Sequence, residues 1–319
     1  MADVITRIGS GETVTTIATW ESTTVPANLV TATQRHIGQC KAEAFAVTVV
    51  IDGHTASADY YMWLMSEVGA EHDGRAHAVS AAGNARITGT GATAVRLLDN
   101  FARFSWMEIS NWTDAGFTGV EVNFVTACTV QIDHNIIHND DTSANANNFG
   151  IYAADDDCEA RIFRNIVYGV GASGIYARLG AAGSGVHCNT VYNNNASGSN
   201  FRSGLWTSDA GDTDFAIMAN VAMDNSDVDI DGTAGTLDWN YTEDATGDDE
   251  GANGVAGLTP SSTYLTAPTA TWANTDLLPL AALHTVGAMD GTARTTAFGA
   301  SYTTVFPGID ESIDNRGVS

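Results

Sequence analysis

The sequence predicts an all-β solenoid, in which short strands stack as successive coils of a single unit. Three observations predict it: a recurring asparagine, a recurring glycine, and apolar residues that alternate with polar ones. The asparagines are Asn135, Asn165, Asn189, Asn220 and, more faintly, Asn240. The glycines are Gly119, Gly150, Gly174 and Gly204, each followed directly by an apolar residue. Two marks that recur in step, about every 20–31 residues, are typical of a repeat protein.

The alternation within each repeat predicts strands rather than helices. Cys128, Val130 and Ile132 alternate with polar residues before Asn135, and a period of two is that of a strand with one buried face. Strands this short cannot bury a face alone, but stacked coils form parallel sheets around a narrow apolar interior. We expect asparagine at the bend because it tolerates the left-handed conformation and its amide can bond to the asparagine one coil away.

This pattern resembles the right-handed parallel β-helix of pectate-lyase-like proteins and phage tailspikes, over roughly residues 40–245. The phrase from Ile8 to Val30 is similar to the opening of β-helix proteins of phages and bacteria, and the phrase from Pro307 to Gly317 is similar to their closing phrase. The resemblance implies a single-stranded right-handed parallel β-helix solenoid, with an amino-terminal capping helix and an irregular carboxyl-terminal segment.

Three regions follow in order along the chain. Residues 1–40 do not repeat, and Thr13 to Glu21 can form a short amphipathic helix that Pro26 ends, so we expect a cap over the first coil. Residues 41–245 carry the coils. Residues 246–319 lack the repeat and contain four prolines, which do not fit a continuing sheet strand. We therefore expect an irregular tail that caps the carboxyl end.

The charge balance excludes some partners. The 319 residues carry a formal net charge of −25 with a single lysine, Lys41. A chain this acidic is repelled by nucleic acid and by anionic membrane surfaces. The sequence has neither a basic start followed by an apolar run nor an apolar stretch long enough to span a bilayer, so we predict no secretory signal and no membrane insertion. The charge fits solubility; calcium or a basic partner is the alternative.

The cysteines predict thiols rather than a metal site. Cys128 and Cys158 both lie seven residues before their asparagine, so they should stack in adjacent coils. Strands about 4.8 Å apart would permit a disulfide by distance, but side chains that point in parallel favour two buried thiols. Cysteine and histidine pairs at the spacing of metal ligands are missing, and we predict no cofactor.

An outward row of aromatic residues is the first candidate binding surface. Tyr152, Tyr176 and Trp206 each follow an apolar residue that should point inward, so all three should point outward one above another. Such a row could contact sugar rings or a partner protein. The alternative is that neighbouring loops cover the rings.

Acidic loops provide weaker candidates. Should the protein be an enzyme, its candidate catalytic residues are Asp155, Asp156, Asp157, Arg164, Asp212 and Asp214. Two nearby carboxylates would serve a glycosidase, and a base with cations would serve a lyase, but no set of the pectate lyase kind can be matched. Asp227, Asp229, Asp231 and Asp238 imitate a calcium loop. An ordinary coil with outward aspartates explains them better, because Val228 and Ile230 continue the strand alternation.

These observations favour a non-enzymatic structural or adhesive protein. The resemblance implies a phage virion component, either a head decoration or a tail appendage, that contacts capsid or tail proteins, cell-surface polysaccharide, or both. Its location would be the virion, with an extracellular location as the alternative, and a homotrimer is compatible with the fold. The alternative function is a polysaccharide lyase or glycoside hydrolase acting on an acidic glycan, because fold alone warrants little about function.

Overall fold

The structure, a computed structural model, describes the coils and their amino-terminal end. The described residues are 2–72, 83–91, 93–110, 112, 118–122, 128–139, 148–155, 157–179, 183–194, 203–207, 216–223, 225, 228–232, 236–238, 240–244, 254 and 256–257. The tail predicted for residues 246–319 lies outside the described residues, apart from 254, 256 and 257. Within the described part of the chain, no helix is long and apolar enough to cross a membrane.

The strands form three sheets in which every described pairing is parallel. The first sheet contains β1 (Ala2–Ile8), β2 (Gln34–Cys40), β5 (Met62–Ser66), β8 (Arg103–Ser105), β11 (Cys128–Asp133), β14 (Cys158–Phe163), β17 (Gly185–His187), β20 (Ala216–Met218) and β23 (Thr236–Asp238). The second contains β3 (Ala44–Ala46), β6 (Arg86–Thr88), β9 (Glu108–Ser110), β12 (Ile136–His138), β15 (Ile166–Tyr168), β18 (Thr190–Tyr192), β21 (Val221–Met223) and β24 (Tyr241–Thr242). The third contains β4 (Val49–Ile51), β7 (Val95–Leu97), β10 (Thr118–Val122), β13 (Phe149–Asp155), β16 (Ile175–Leu179), β19 (Ser203–Thr207) and β22 (Val228–Asp231).

Each regular coil takes one strand from each sheet in chain order, so the protein is a parallel β-helix, as predicted. Alternation decides which side chains enter the interior. On β11, Val130 and Ile132 are buried in the core and pair with Ala160 and Ile162 of β14. The apolar stripes of successive strands thus stack into one continuous core, because no single three-residue strand could bury enough apolar area alone.

An asparagine ladder marks the bend between the first and second sheets. Its members, Asn135, Asn165, Asn189, Asn220 and Asn240, are fully buried. The side-chain oxygen of Asn165 accepts hydrogen bonds from the backbone and side-chain amides of Asn135, both at 3.0 Å. Its side-chain nitrogen donates to the carbonyl of Ile132 at 3.0 Å. The predicted bond between asparagines of neighbouring coils is therefore confirmed.

The backbone conformation of these asparagines was predicted wrongly. The left-handed conformation belongs to the residue before each asparagine, with φ of 53° at His134, 57° at Arg164, 54° at Cys188 and 58° at Ala219. Hydrogen bonding explains why asparagine stands one residue after the left-handed position. The sharp bend takes backbone groups out of the sheet pairing, and the asparagine amide, one residue later, supplies the missing partners.

The glycines also stack, at the entry to the third sheet. A Cβ atom built on Gly150 would lie 2.6 Å from the carbonyl oxygen of Gly174 and would overlap Val167. Gly174 meets the carbonyl oxygen of Gly204 in the same way, at 2.9 Å. Glycine recurs here because adjacent coils approach too closely for any side chain.

The first coil differs from the others. The strands β1 and β2 pair along seven residues, so the first sheet begins inside the segment predicted as the cap, residues 1–40. An α-helix at Ile17–Thr19, a π-helix at Trp20–Thr24 and an α-helix at Leu29–Ala32 lie between these strands. Trp20 is fully buried, and a Cβ atom on Gly38 would lie 2.8 Å from its ring. The helical residues thus cover the interior at this end, beginning at Ile17 rather than at Thr13.

The prediction of two free thiols in adjacent coils is wrong. Cys128 and Cys158 form a disulfide between β11 and β14. They are direct register partners with Cα atoms 4.5 Å apart, which is within the range that a disulfide spans. The other two cysteines, Cys40 and Cys188, are buried and form no disulfide.

Candidate functional site

The predicted aromatic row exists as a ladder on the outward face of the third sheet. Tyr152, Tyr176 and Trp206 are register partners on β13, β16 and β19. Ring centroids lie 5.0 Å apart between the tyrosines and 4.4 Å apart between Tyr176 and Trp206. Phe149 packs beside them, and Tyr176 is only 6% exposed. The rings cover one another's faces, so the ladder presents ring edges to solvent; its binding role stays a prediction.

The two candidate catalytic residues whose side chains the structure describes, Asp157 and Arg164, do not lie together. Asp157 is exposed immediately before β14, whereas Arg164 is buried immediately after it. The extended strand between them places the two residues roughly 20 Å apart. The side chain of Asp155, at the end of β13, lies outside the described part of the structure, as do Asp156, Asp212 and Asp214.

Arg164 instead belongs to a network at the bend of the asparagine ladder. Its Nη1 atom is 3.4 Å from Nε2 of His134, whose Nδ1 atom is 2.7 Å from Oδ2 of Asp133. The His134 ring stacks on Trp106 with centroids 4.3 Å apart. Both ring nitrogens of His134 are thus engaged by protein groups. This arrangement holds the bend in place and leaves no His134 nitrogen directed at a substrate.

The predicted calcium ligands are also separated. Asp227 is outside the described residues, Asp231 is exposed on β22 beside Trp206, and Asp238 lies on the first sheet. Asp229 is buried and accepts hydrogen bonds from the backbone amides of Glu243 and Asp244, at 2.6 and 3.2 Å. Burial raises the pKa of Asp229 to about 6. Among the described residues, no three histidine, cysteine or acidic side chains could hold a metal ion.

The outward side of the second sheet holds a buried ionic cluster. Glu108 is fully buried, with Arg86 Nε at 3.2 Å, His138 Nε2 at 3.0 Å and Asn84 Nδ2 at 3.0 Å. Burial alone would raise the pKa of Glu108, but the hydrogen bond with His138 and the Arg86 charge hold it below its ordinary value, as opposite charges favour the ionised form. Because these groups are closed off from solvent, they serve packing, and the accessible candidates lie on the first and third sheets.

A groove on the outward face of the first sheet is the site that sequence reasoning missed. It encloses about 210 Å³ and crosses β8, β11 and β14. Its lining includes an aromatic ring, two guanidinium groups, a hydroxyl, an amide and a carboxylate, which belong to Phe101, Arg103, Arg161, Thr129, Gln131 and Glu159. We call it the Arg103 groove. Ala58 and the nearly fully buried core residues Ala102 and Val130 complete its lining.

Arg103 is the unusual residue in this groove. Its guanidinium lies 3.9 Å from the centroid of the Tyr61 ring, a cation–π contact. Desolvation lowers the pKa of this half-buried group. In the described part of the chain, Arg103 makes no side-chain hydrogen bond or ion pair, whereas Arg161 pairs with Glu159 at 2.6 Å. The groove thus holds one cation with its hydrogen-bond donors still to be used.

The sequence contained a signal for this groove, but a partial one. Gln131 and Arg161 lie four residues before Asn135 and Asn165, which places them side by side on the outward face. Arg103 is the next partner, but its coil has Met107 where the coils that follow it have asparagine. Without the asparagine mark, the register of β8 could not be placed from the sequence.

Comparisons with known proteins leave the family open. No protein-family model and no curated protein matches the sequence. A crystal structure of the pectin methylesterase from Aspergillus niger matches with a TM-score of 0.46 and 11% identity, over 92% of this chain and 93% of that chain. A similarity this low carries no argument about function. The assignment as a parallel β-helix stands on the three parallel sheets themselves.

Proposed function

We propose that the protein binds an acidic saccharide in the Arg103 groove without transforming it. The observation that carries this proposal is the half-buried guanidinium of Arg103, which has no side-chain hydrogen bond or ion pair within the described residues. A partly desolvated cation with unused donors gains most from an anionic partner, and a guanidinium binds a carboxylate through two parallel hydrogen bonds.

The other groove residues support a sugar rather than a simple ion. Thr129 and Gln131 line the groove, and Phe101 supplies an apolar ring. Hydroxyl and amide side chains both donate and accept hydrogen bonds. This mixture suits a pyranose, which has hydroxyl groups at its rim and C–H groups on its faces.

The acidity of the whole chain opposes any polyanion at long range, as it opposes nucleic acid, but it does not decide binding inside the groove. The net charge of −25 is spread over 319 residues. Screening limits the reach of exposed charges to about 8 Å at physiological ionic strength. Recognition of an acidic saccharide then depends on the charges inside the groove.

Binding without turnover is the better-supported form of the proposal. A glycosidase of the usual kind needs two carboxyl groups around the bond it cleaves. The described lining of the groove contains one, Glu159, and an ion pair with Arg161 engages it. The alternative, a lyase or hydrolase acting on an acidic glycan, predicts new reducing ends or unsaturated products when the same glycans are incubated with the protein.

Affinity electrophoresis through gels containing acidic or neutral polysaccharides tests the proposal. We expect retardation by uronate-containing polymers and none by neutral dextran. Arg103→Gln should weaken binding by roughly tenfold or more, since a hydrogen bond to a charged group contributes about 1.5–3 kcal/mol. Arg96→Gln is the matched control, because Arg96 is also half-buried but pairs with Glu121 on the third sheet. Equal retardation of Arg103→Gln and wild type would refute the proposal.

The biological setting is a further part of the proposal. An adhesive or structural role on a phage particle, as a head decoration or tail appendage, would place the groove where it meets cell-surface polysaccharide. Mass spectrometry of purified virions should then detect the chain, and its absence from particles would favour an extracellular protein. Sedimentation analysis of the purified protein tests whether the working form is a homotrimer.

A further inference from the structure

We propose that the Arg103 groove selects a glycan in which an acidic sugar is joined to an uncharged one, and that Glu159 rejects a second acidic sugar. This inference rests on the proposed function and goes further, because it names the order of charges along the ligand. It follows from the difference between the two ends of the groove.

The two guanidinium groups mark those ends. Arg103 and Arg161 lie in the same register row, with Gln131 between them, on β8, β14 and β11 respectively. Two strand spacings place the arginines roughly 10 Å apart along the solenoid axis. Both lean to the same side of the sheet, Arg103 onto Tyr61 and Arg161 onto Glu159. A ligand that contacts both ends therefore extends along the axis and is longer than one sugar ring.

The charges at the two ends differ. The Arg103 end carries a positive charge with no counter-ion bonded to it among the described residues. The Arg161 end is a neutral pair, in which Glu159 Oε1 lies 2.6 Å from Arg161 Nη2. A neutral pair of this kind still donates through the remaining guanidinium N–H groups and accepts through the carboxylate. It therefore suits the hydroxyl groups of an uncharged sugar and opposes a second carboxylate.

Glu159 lies close to the next coil. A Cβ atom on Gly183 would lie 3.0 Å from Glu159 Oε1, so the carboxylate rests against a glycine that leaves room for it. The Glu159 side chain is 24% exposed, whereas Arg161 is 56% exposed. The negative charge thus lies at the wall of the groove, between Arg161 and the next coil.

Two hexasaccharides of equal length test the inference by isothermal titration calorimetry. A hyaluronan hexasaccharide alternates acidic and uncharged sugars, whereas in hexagalacturonate every sugar is acidic. We expect wild type to bind the alternating ligand at least tenfold more tightly. Glu159→Gln removes the opposing charge and frees Arg161, so it should strengthen hexagalacturonate binding at least fivefold and change hyaluronan binding little. Asp52→Asn is the matched control, since it removes an exposed charge directly after β4, on the third sheet, and should leave both affinities unchanged.

The outcomes separate this inference from the function on which it rests. If Arg103→Gln weakens both ligands but Glu159→Gln leaves their ratio unchanged, the charge order is refuted and acidic-saccharide binding stands. If wild type binds the two ligands equally, the charge order is refuted as well. If Arg103→Gln changes neither affinity, both proposals fail. A gain of affinity in Glu159→Gln cannot come from unfolding, which makes the supporting result unambiguous.

Discussion

The outward faces of the first and third sheets use the same stacking geometry in opposite ways. On the third sheet, Tyr152, Tyr176 and Trp206 lie one above another and cover one another. On the first sheet, Arg103 and Arg161 are separated by Gln131, and Arg103 forms no side-chain hydrogen bond or ion pair in the described structure. In a solenoid, like residues at a repeated position satisfy each other. Side-chain groups therefore stay available to a ligand where unlike residues interrupt the repeat.

The largest effect should come from the disulfide that joins β11 and β14, the two strands beneath the groove. Its cysteines, Cys128 and Cys158, have a sequence separation of 30. Loss of a bond that closes a loop of this size should destabilise the fold by about 3–4 kcal/mol in the chain-entropy account. Replacing both cysteines by serine should therefore lower the urea midpoint, measured by circular dichroism.

Reductant provides the control for this prediction. It should lower the urea midpoint of wild type and leave that of the double serine variant unchanged, because the variant has no disulfide to lose. If reductant affects both proteins equally, the stability does not depend on this bond.

A somewhat smaller effect should follow acidification, through His187 on the outward side of the first sheet. Burial, with a smaller contribution from Arg161, lowers the pKa of His187 to about 4, against 6.5 for the ordinary group. Between these values the unfolded state binds the extra proton, so stability should fall as the pH drops from about 6.5 to about 4. The loss reaches at most about 3 kcal/mol.

His187→Gln isolates this contribution. Its stability should be less sensitive to acid than that of wild type over the same range, measured by urea denaturation at several pH values. Asp229 acts in the opposite direction, because its pKa is raised to about 6. A raised acid pKa makes ionisation costly and removes stability as the pH rises. This second contribution is present in both proteins and cancels in their difference. Parallel curves for the two proteins would contradict the role of His187.

The smallest effect on stability should come from the aromatic ladder. Its variants test most directly whether the third sheet serves stability and the first sheet serves binding. Tyr176→Ala removes the middle ring and should destabilise the protein by about 2 kcal/mol. The effect is smaller than for an aromatic residue of the core, because Tyr176 lies on the outward side of its sheet. The affinity of Tyr176→Ala for acidic saccharide should equal that of wild type.

Tyr176→Phe is the control, because it keeps the stack; it should destabilise the protein less than Tyr176→Ala and leave the affinity unchanged. Loss of saccharide binding in Tyr176→Ala, without loss in Tyr176→Phe, would show that the saccharide binds on the third sheet and not in the Arg103 groove.

The sequence predicted the coils well because the ladder asparagines recur visibly in it. An asparagine whose amide must bond to the coil above and the coil below is hard to replace, so Asn165 and Asn189 recur at the same place in each coil. A second asparagine contact, between Asn194 and Asn225, was missed because two asparagines one coil apart do not establish a period.

The candidate site was largely beyond sequence reasoning, for a related physical reason. Arg103 lies in a coil with Met107 at the ladder position, and Tyr61, which contacts it, lies before β5 in a region without the repeat. Their contact depends on the register between strands and not on the period. The disulfide was missed because parallel pointing of the side chains was given more weight than the 4.5 Å between Cα atoms. The sequence pattern describes each coil, but it does not give the register and distances between neighbouring coils on which the site and the disulfide depend.

The asparagine ladder leaves the number of coils free to change. Among the described residues, no ladder amide bonds further than the adjacent coil, and Thr190 is the register partner of Val221. Excising residues 190–220 would thus join Asn189 to Val221 and bring Asn189 against Asn240 with the same set of bonds. A molecule built in this way can lengthen or shorten by whole turns during evolution, and the amino-terminal coils that carry the groove would remain as they are.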